Sequence, residues 1–65
     1  MSKRIIRLRE VKTKVGKGHS SIYEDINNGT FPKSVPLGKR AVGWIEEEID
    51  QWIDARIAAR DQVAA

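Results

Sequence analysis

The stretch LREVKTKVGKGHSSIYEDINNG, residues 8–29, contains two short helical patterns separated by glycines. Leu8, Val11 and Val15 stand at positions i, i+3 and i+7, a spacing that places apolar side chains on one face of a helix. The sequence Gly-Lys-Gly follows at residues 16–18, and glycine here is typical of a helix end and a tight turn. The first half of the stretch therefore predicts a short helix and a turn.

The second half predicts another short helix, from about His19 to Asn28. Its apolar residues share one face, and they are Ile22, Tyr23 and Ile26. Gly29 and Pro32 mark its end, and Phe31 between them is expected to anchor the following connector in the core. Two helices joined by a tight glycine-containing turn are the helix-turn-helix arrangement.

Residues 35–44 predict a strand, a turn and a second strand. Two apolar runs flank a short basic tip, Gly38-Lys39-Arg40. Pro36 suits an edge strand, and Gly43 suggests a bulge in the second strand.

The last helix has the clearest pattern, with helical spacing of Ile45, Ile49, Trp52, Ile53 and Ile57. Residues 61–65 are expected to fray. Residues 3–8 predict a short strand, and Lys3 and Arg4 are alternatively a flexible arm or simply solubilising charge. The resulting fold class is mostly α with a small β-hairpin, a winged helix-turn-helix. We expect one DNA-binding domain over residues 1–65, ordered over about 6–60 with flexible termini.

Length and composition exclude several classes of function. The chain has 65 residues, one His and no Cys, so it offers no thiolate metal site and no cysteine nucleophile. No constellation of catalytic side chains can be assembled, and no apolar run approaches the ~18 residues of a membrane span. We therefore expect a cytoplasmic, nucleoid-associated protein that is not an enzyme and has no cofactor, metal, membrane or small-molecule substrate.

Charge is divided unevenly along the chain. Residues 1–43 carry ten Lys and Arg against three Asp and Glu, a net charge of +7, whereas residues 44–65 carry two against six, a net charge of −4. A basic body followed by an acidic helix indicates one side that faces a polyanion and one that avoids it. The alternative is ordinary solvated surface charge.

The outward face of the second helix has the side chains that a DNA groove requires. Ser20, Glu24 and Asn27 point away from the apolar face, with Ser21 and Asn28 at the flank. Serine can donate or accept, Asn27 can pair with adenine, and Glu24 can accept from cytosine. The alternative is a helix face that is only solvated.

Further side chains are predicted to contact the phosphate backbone: Lys17 and His19 beside the turn, Tyr23 through its hydroxyl, Lys33 in the connector, and Lys39 and Arg40 at the hairpin tip. Each has an ordinary alternative as a surface, capping or turn residue.

The last helix carries like charges on one ridge, formed by Glu46, Asp50 and Asp54. Such a ridge lowers stability unless a cation faces it. Arg56, one turn after Trp52, can stack on that ring or mark where the helix meets another chain. These features support an alternative function, an adaptor that acts on a recombinase or polymerase through the acidic helix.

Several motifs together resemble the AlpA family of small phage- and prophage-linked regulators over residues 6–60. They are Arg7-Leu8-x-Glu10-Val11, Ser20-Ser21-Ile22-Tyr23, Gly29-x-Phe31-Pro32-Lys33, Val35-x-Leu37-Gly38, Arg40-Ala41-Val42-Gly43-Trp44, Glu48-Ile49 and Trp52-Ile53. The resemblance implies a winged helix-turn-helix related to MerR-type and excisionase domains. It assigns Ser20, Ser21 and Tyr23 to the recognition helix, Lys33 to a Phe-Pro-Lys motif and Arg40 to the wing. Gly18 replaces the family's usual capping serine, and Glu24-Asp25 is unusually acidic for its place.

The expected function is a sequence-specific DNA-binding transcriptional regulator or an excisionase-like factor of a phage or mobile element. Its recognition helix, about 19–28, would enter the major groove, and its wing, residues 38–41, would lie beside it on the backbone or minor groove of double-stranded DNA. A single module of this kind buries roughly 600–1,000 Å². Specificity therefore predicts repeated sites or self-association, and a phage integrase or RNA polymerase is a further candidate partner.

Overall fold

The computed structural model describes residues 3–63, which form three helices and a small sheet. In chain order the elements are β1 (Ile5–Ile6), α1 (Leu8–Val15), α2 (His19–Asn27), β2 (Val35–Pro36), β3 (Val42–Ile45) and α3 (Glu46–Val63). The predicted winged helix-turn-helix is confirmed. Met1, Ser2, Ala64 and Ala65, and with them part of the predicted termini, lie outside the described residues.

The glycines at the two helix ends take the conformations that end a helix. Gly16 has φ +69°, and its N–H donates to the carbonyl of Lys12 at 2.9 Å. Gly29 has φ +78°, and its N–H donates to the carbonyl of Ile26 at 3.1 Å. Because glycine has no Cβ, it adopts this left-handed conformation without the steric penalty of other residues. The turn between α1 and α2 therefore has the tightness that the sequence predicted.

The sheet has three antiparallel strands in the order β1-β3-β2, so the hairpin gains the N-terminal strand as a third member. Ile6 pairs with Trp44 in β3, and Pro36 pairs with Val42. Pro36 therefore lies on an edge strand, where its missing N–H costs least. The prediction of a bulge at Gly43 is wrong, since Gly43 pairs with Val35 in unbroken register.

Gly43 is needed for space rather than for a bulge. A Cβ at this position would lie 2.5 Å from Cγ2 of Ile5, 3.0 Å from the carbonyl oxygen of Ile6 and 3.1 Å from Cδ1 of Leu37. At Gly43, atoms of β1 and of Leu37, which follows β2, approach the backbone of β3 closely. A glycine in a strand interior often marks such a close approach.

One small core takes side chains from β1, the three helices, β3 and the connector after α2. Its fully or nearly fully buried members are Ile6, Val11, Ile22, Phe31, Trp44 and Ile49. Phe31 fixes the connector in this core, as predicted. The helix α3 begins directly after β3 and continues to Val63, six residues beyond the last isoleucine of its apolar pattern.

Arg4, predicted as part of a flexible arm or as solubilising charge, is held by contacts with α1 and α3. Its carbonyl accepts the backbone N–H of Glu46 at 2.7 Å, and its guanidinium lies 3.3 Å from the Glu46 carboxylate and 3.6 Å from Glu10. These contacts hold Arg4 against the first turn of α3.

Candidate nucleic-acid interface

The helix α2 has one face in the core and one in solvent. Ile22 is completely buried, Tyr23 and Ile26 are half-buried, and the opposite side is exposed. We call this exposed side the outer face of α2; its residues are Ser20, Ser21, Glu24 and Asn27. The outer face has no aliphatic side chain, and its placement at the surface is as the sequence predicted.

Gly18 is the N-cap of α2, and no side chain caps the helix. Its carbonyl accepts the N–H of Ile22 at 3.0 Å, while its own extended backbone leads out of the turn. Glycine costs only a few tenths of a kcal/mol at this position relative to serine. The start of α2 is therefore formed without a side-chain cap on its first-turn N–H groups.

Lys17 and Asp25 form an ion pair across the helix-turn-helix. Both side chains are partly buried, with exposed fractions of 34% and 21%. Asp25 therefore points toward the turn and is not part of the outer face of α2. Lys17, a predicted phosphate contact, is held by a carboxylate of its own chain.

Tyr23 makes one aromatic contact within α2 and one that connects α2 to the sheet. The rings of His19 and Tyr23 lie 4.8 Å apart, and the Tyr23 ring meets Trp44 edge-on at 6.2 Å. Such tilted and edge-to-face pairs are favourable geometries for aromatic rings. Tyr23 is thus a packing residue that sets α2 against β3, whose preceding loop is the wing.

Both tryptophans fasten the connector between α2 and β2. The indole N–H of Trp44 donates to the carbonyl of Pro32 at 3.1 Å, and that of Trp52 donates to the carbonyl of Thr30 at 2.8 Å. The Phe31 ring packs edge-on against Trp52 at 5.1 Å. The connector also carries Lys33, which is exposed. The two tryptophans therefore hold the connector through hydrogen bonds.

The wing, residues 38–41, is closed by a hydrogen bond from the N–H of Leu37 to the carbonyl of Ala41 at 2.7 Å. Lys39 and Arg40 at its tip are exposed. Within residues 3–63, neither Lys39 nor Arg40 forms an ion pair, and no ion pair of that part of the chain joins the wing tip to α2. Both cations therefore stand free to meet an external anion.

The acidic ridge of α3 is faced by a cation from another helix. Lys14 of α1 places its Nζ 2.8 Å from Asp50 and 3.2 Å from Glu46. The hydrogen bond to Asp50 raises the pKa of the Lys14 ammonium above its ordinary value of 10.5, and the bond to Glu46 acts in the same direction. The sequence indicated that a cation must face the ridge but did not identify it, because Lys14 is distant from the ridge along the chain.

Arg56 lies over the Trp52 ring, with its guanidinium carbon 5.8 Å from the ring centroid, as one of the sequence alternatives predicted.

Among residues 3–63 no group of three or more His, Cys, Asp or Glu side chains is arranged to hold a metal ion. In the same part of the chain, no helix combines the length and apolar character needed to cross a membrane.

Comparison with known proteins gives the family. The family described as prophage CP4-57 regulatory protein (AlpA) matches residues 4–57. The DNA-binding transcriptional activator AlpA of Escherichia coli K12 is 44% identical over 59 residues, which cover 82% of this chain and 84% of that protein. An uncharacterized protein, ORF88 of Enterobacteria phage P4, is 42% identical over 57 residues, covering 88% of this chain and 65% of that protein.

No solved structure matches the chain. The family description and the Escherichia coli relative both name regulators and not enzymes, in agreement with the prediction that the chain is not an enzyme. The match over residues 4–57 includes both helices of the helix-turn-helix, the wing and most of α3. The chain belongs to the AlpA family.

Proposed function

We propose that the chain is a sequence-specific DNA-binding regulator of a phage or mobile element. The observation that carries the proposal is the outer face of α2, a short row of small polar side chains on a helix whose other side is anchored by the buried Ile22. A recognition helix needs such a face because base edges in the major groove are read at hydrogen-bonding distance. The relative of 44% identity, named as a DNA-binding activator, supports the same function.

In this proposal the outer face reads bases and the exposed cations position the protein. Ser20, Ser21, Glu24 and Asn27 are the base-reading candidates, and His19 lies at the start of the same helix. Lys33, Lys39 and Arg40 would contact phosphates or, at the wing, an adjacent minor groove. The packing of Tyr23 against Trp44 supports a fixed placement of the helix relative to the wing, on one surface shaped for a duplex.

The ion pair between Lys17 and Asp25 limits the part that Lys17 can take in phosphate binding. Its partner Asp25 competes with phosphate for the ammonium, so in free protein Lys17 closes the turn. On DNA, a phosphate would have to displace the Asp25 carboxylate from the Lys17 ammonium or share the ammonium with it. We therefore assign Lys17 less weight in phosphate binding than the two unpaired cations of the wing.

The experiment begins by selecting bound duplexes from a random pool, which supplies a target and an unrelated duplex of equal length. Lys39→Ala/Arg40→Ala should weaken binding to both duplexes and flatten the dependence of log K on log salt by about two phosphate contacts. Ser20→Ala or Asn27→Ala should weaken binding to the target only, by about 1–3 kcal/mol per lost base contact.

The matched control is Arg56→Gln/Arg60→Gln, which removes the same charge from α3. On a duplex with a single site, we expect it to leave the salt slope unchanged. If the wing and α3 pairs weakened binding equally, only net charge would matter and the proposed interface would be wrong.

An excisionase-like role is a more specific version of this proposal, in which the protein also bends its DNA site. An architectural factor must bend its site, whereas a regulator that recruits polymerase need not. Gel mobility of duplexes carrying the selected site at different distances from their ends separates the two. Position-dependent mobility supports the architectural role, and uniform mobility supports simple regulation.

The adaptor alternative gains little from the structure. Two of the three carboxylates of the acidic ridge are bound by Lys14, and Arg4 also contacts Glu46. These charges stabilise the fold and are less available to a partner protein.

A further inference from the structure

The strand β1 lies at one edge of the sheet, because the strand order is β1-β3-β2. The backbone N–H of Glu46 donates to the carbonyl of Arg4 at 2.7 Å, and Ile6 lies opposite Trp44. Hydrogen-bonded residues alternate along an antiparallel ladder, so Arg4 and Ile6 bond to β3 while Ile5 directs its N–H and carbonyl away from it. An edge with outward-facing backbone groups can bind one more strand.

The side chains at this edge are apolar in the middle and basic at both ends. Lys3, Ile5 and Arg7 alternate along the chain with residues 4 and 6, so they lie on the face of the sheet opposite the buried Ile6. All three are exposed, and the exposed fraction of Ile5 is 44%. Within residues 3–63, neither Lys3 nor Arg7 forms an ion pair. We call Lys3, Ile5 and Arg7 the β1 edge.

A groove of about 440 Å³ runs beside the β1 edge, between β1 and α1. Ile5, Arg7 and Arg9 line the groove, and Arg9 is exposed and forms no ion pair in the described part of the chain. The carboxylate in the lining belongs to Glu10, which lies 3.6 Å from the guanidinium of Arg4. The groove gives space beside Ile5, and its unpaired cations favour an acidic occupant.

We propose that the β1 edge binds an extended acidic segment of a partner protein, which adds to the sheet antiparallel to β1. An apolar residue of that segment packs on Ile5, and its backbone bonds to the outward N–H and carbonyl of Ile5. Carboxylates two residues to either side lie opposite Lys3 and Arg7, because side chains two residues apart share one face of a strand. The segment therefore has the pattern acidic-x-apolar-x-acidic.

Two other occupants fit the β1 edge less well. A second copy of this chain, paired antiparallel at Ile5, would place Lys3 directly opposite Arg7, and like charges in such positions destabilise a strand pair. A DNA phosphate only accepts hydrogen bonds, so it would leave the Ile5 carbonyl without a donor and the Ile5 side chain without an apolar contact. An acidic peptide strand satisfies the backbone, the apolar side chain and the cations together.

The test uses the full chain with a synthetic peptide, and it does not depend on DNA binding. The probe is the capped peptide Thr-Glu-Thr-Val-Thr-Glu-Thr. The matched control, Thr-Thr-Glu-Val-Glu-Thr-Thr, has the same composition with both carboxylates on the opposite face of the strand. In amide NMR spectra of the isotope-labelled chain, the probe should shift Ile5 and Arg7 to saturation, several-fold more tightly than the control. Equal affinities, or no shift from the probe at millimolar concentration, would overturn the proposal.

Charge reversal on the protein tests the pairing of side chains. Lys3→Glu/Arg7→Glu should lose the probe and bind Thr-Lys-Thr-Val-Thr-Lys-Thr instead, whereas Arg56→Glu/Arg60→Glu, which makes the same change of net charge on α3, should keep the probe. An unchanged Trp44 indole resonance would report an intact core. If Lys3→Glu/Arg7→Glu kept the probe but lost DNA affinity, the β1 edge would be a phosphate site and the proposal would be wrong.

Methylation of single peptide amides tests the addition of a strand. In an antiparallel pair centred on Ile5, the valine N–H of the probe points to β1, and the N–H of the next threonine points away. N-methylation at the valine should therefore weaken binding by about tenfold, and N-methylation at that threonine should weaken it much less. Equal effects at the two amides would show that the peptide binds through its side chains alone, and strand addition would be refuted.

Discussion

Gly43 offers a direct test of how closely the three strands approach. Replacing it by alanine puts a Cβ 2.5 Å from Cγ2 of Ile5, 3.0 Å from the carbonyl oxygen of Ile6 and 3.1 Å from Cδ1 of Leu37. Ile5 and Leu37 are partly exposed and can rotate away in part. The backbone carbonyl cannot move without shifting β1, and β1 is paired with β3 at Ile6 and Trp44.

The expected loss of stability follows from two opposing effects. Overpacking a tight site costs about 1–3 kcal/mol. Alanine in place of glycine in a strand interior ordinarily stabilises by about 0.5–1 kcal/mol. The middle values of the two ranges differ by about 1 kcal/mol, so we expect Gly43→Ala to lower the free energy of unfolding by about 1 kcal/mol, or to lower Tm by about 4–8 °C in a domain of this size.

Urea unfolding followed by tryptophan fluorescence measures the change. Gly38→Ala is the control, because a Cβ there has no atom within 4 Å and no positive φ. Ile5→Ala removes the nearest clashing methyl, so the double variant should recover about 0.5–1 kcal/mol of the loss. Unchanged or increased stability of Gly43→Ala, or no coupling to Ile5, would refute the close approach.

Three further substitutions test the contacts that position the interface. Trp52→Phe removes the donor to the Thr30 carbonyl and should cost about 1–2 kcal/mol in urea unfolding, and an unchanged midpoint would mean that the hydrogen bond does not hold the connector. Asp25→Asn frees Lys17 from its ion pair, so DNA affinity should rise and the salt slope should steepen by up to about one phosphate contact; weaker binding in a folded variant would argue against that release. Lys14→Met removes the cation that faces the acidic ridge. Because the folded-state pKa of Lys14 is raised, its stabilising effect is complete below its ordinary value of 10.5 and is lost as pH rises through the raised pKa. The urea midpoints of parent and variant should therefore converge at high pH, and a gap independent of pH would contradict the ion pairs.

The sequence predicted the elements whose causes are local. Helical spacing is visible within a few residues, as is the glycine that ends a helix, so α1, α2 and the start of α3 were predicted nearly to their observed bounds. The outer face of α2 followed from the same periodicity. Phe31 could be predicted as an anchor because it is the large apolar residue of a short, proline-containing connector.

The contacts that sequence reasoning missed join residues distant along the chain. The strand β1 has only two residues, and its register depends on Ile6 meeting Trp44. Gly43 looked like a bulge because a strand glycine has two common causes, and only the neighbouring strands distinguish them. The indole hydrogen bonds to the connector could not be predicted, since any nearby carbonyl satisfies a tryptophan N–H.

The net charge of the basic half overstates the number of cations that are available to bind phosphate. The basic half of the chain suggested many cations facing a polyanion, yet Arg4, Lys14 and Lys17 are paired with carboxylates of the same chain. Within residues 3–63, Lys39 and Arg40 form no ion pair. A phosphate can bind these two without first displacing a carboxylate. The salt dependence of DNA binding should therefore follow the unpaired cations rather than the total of ten, which is a smaller slope than composition alone would predict.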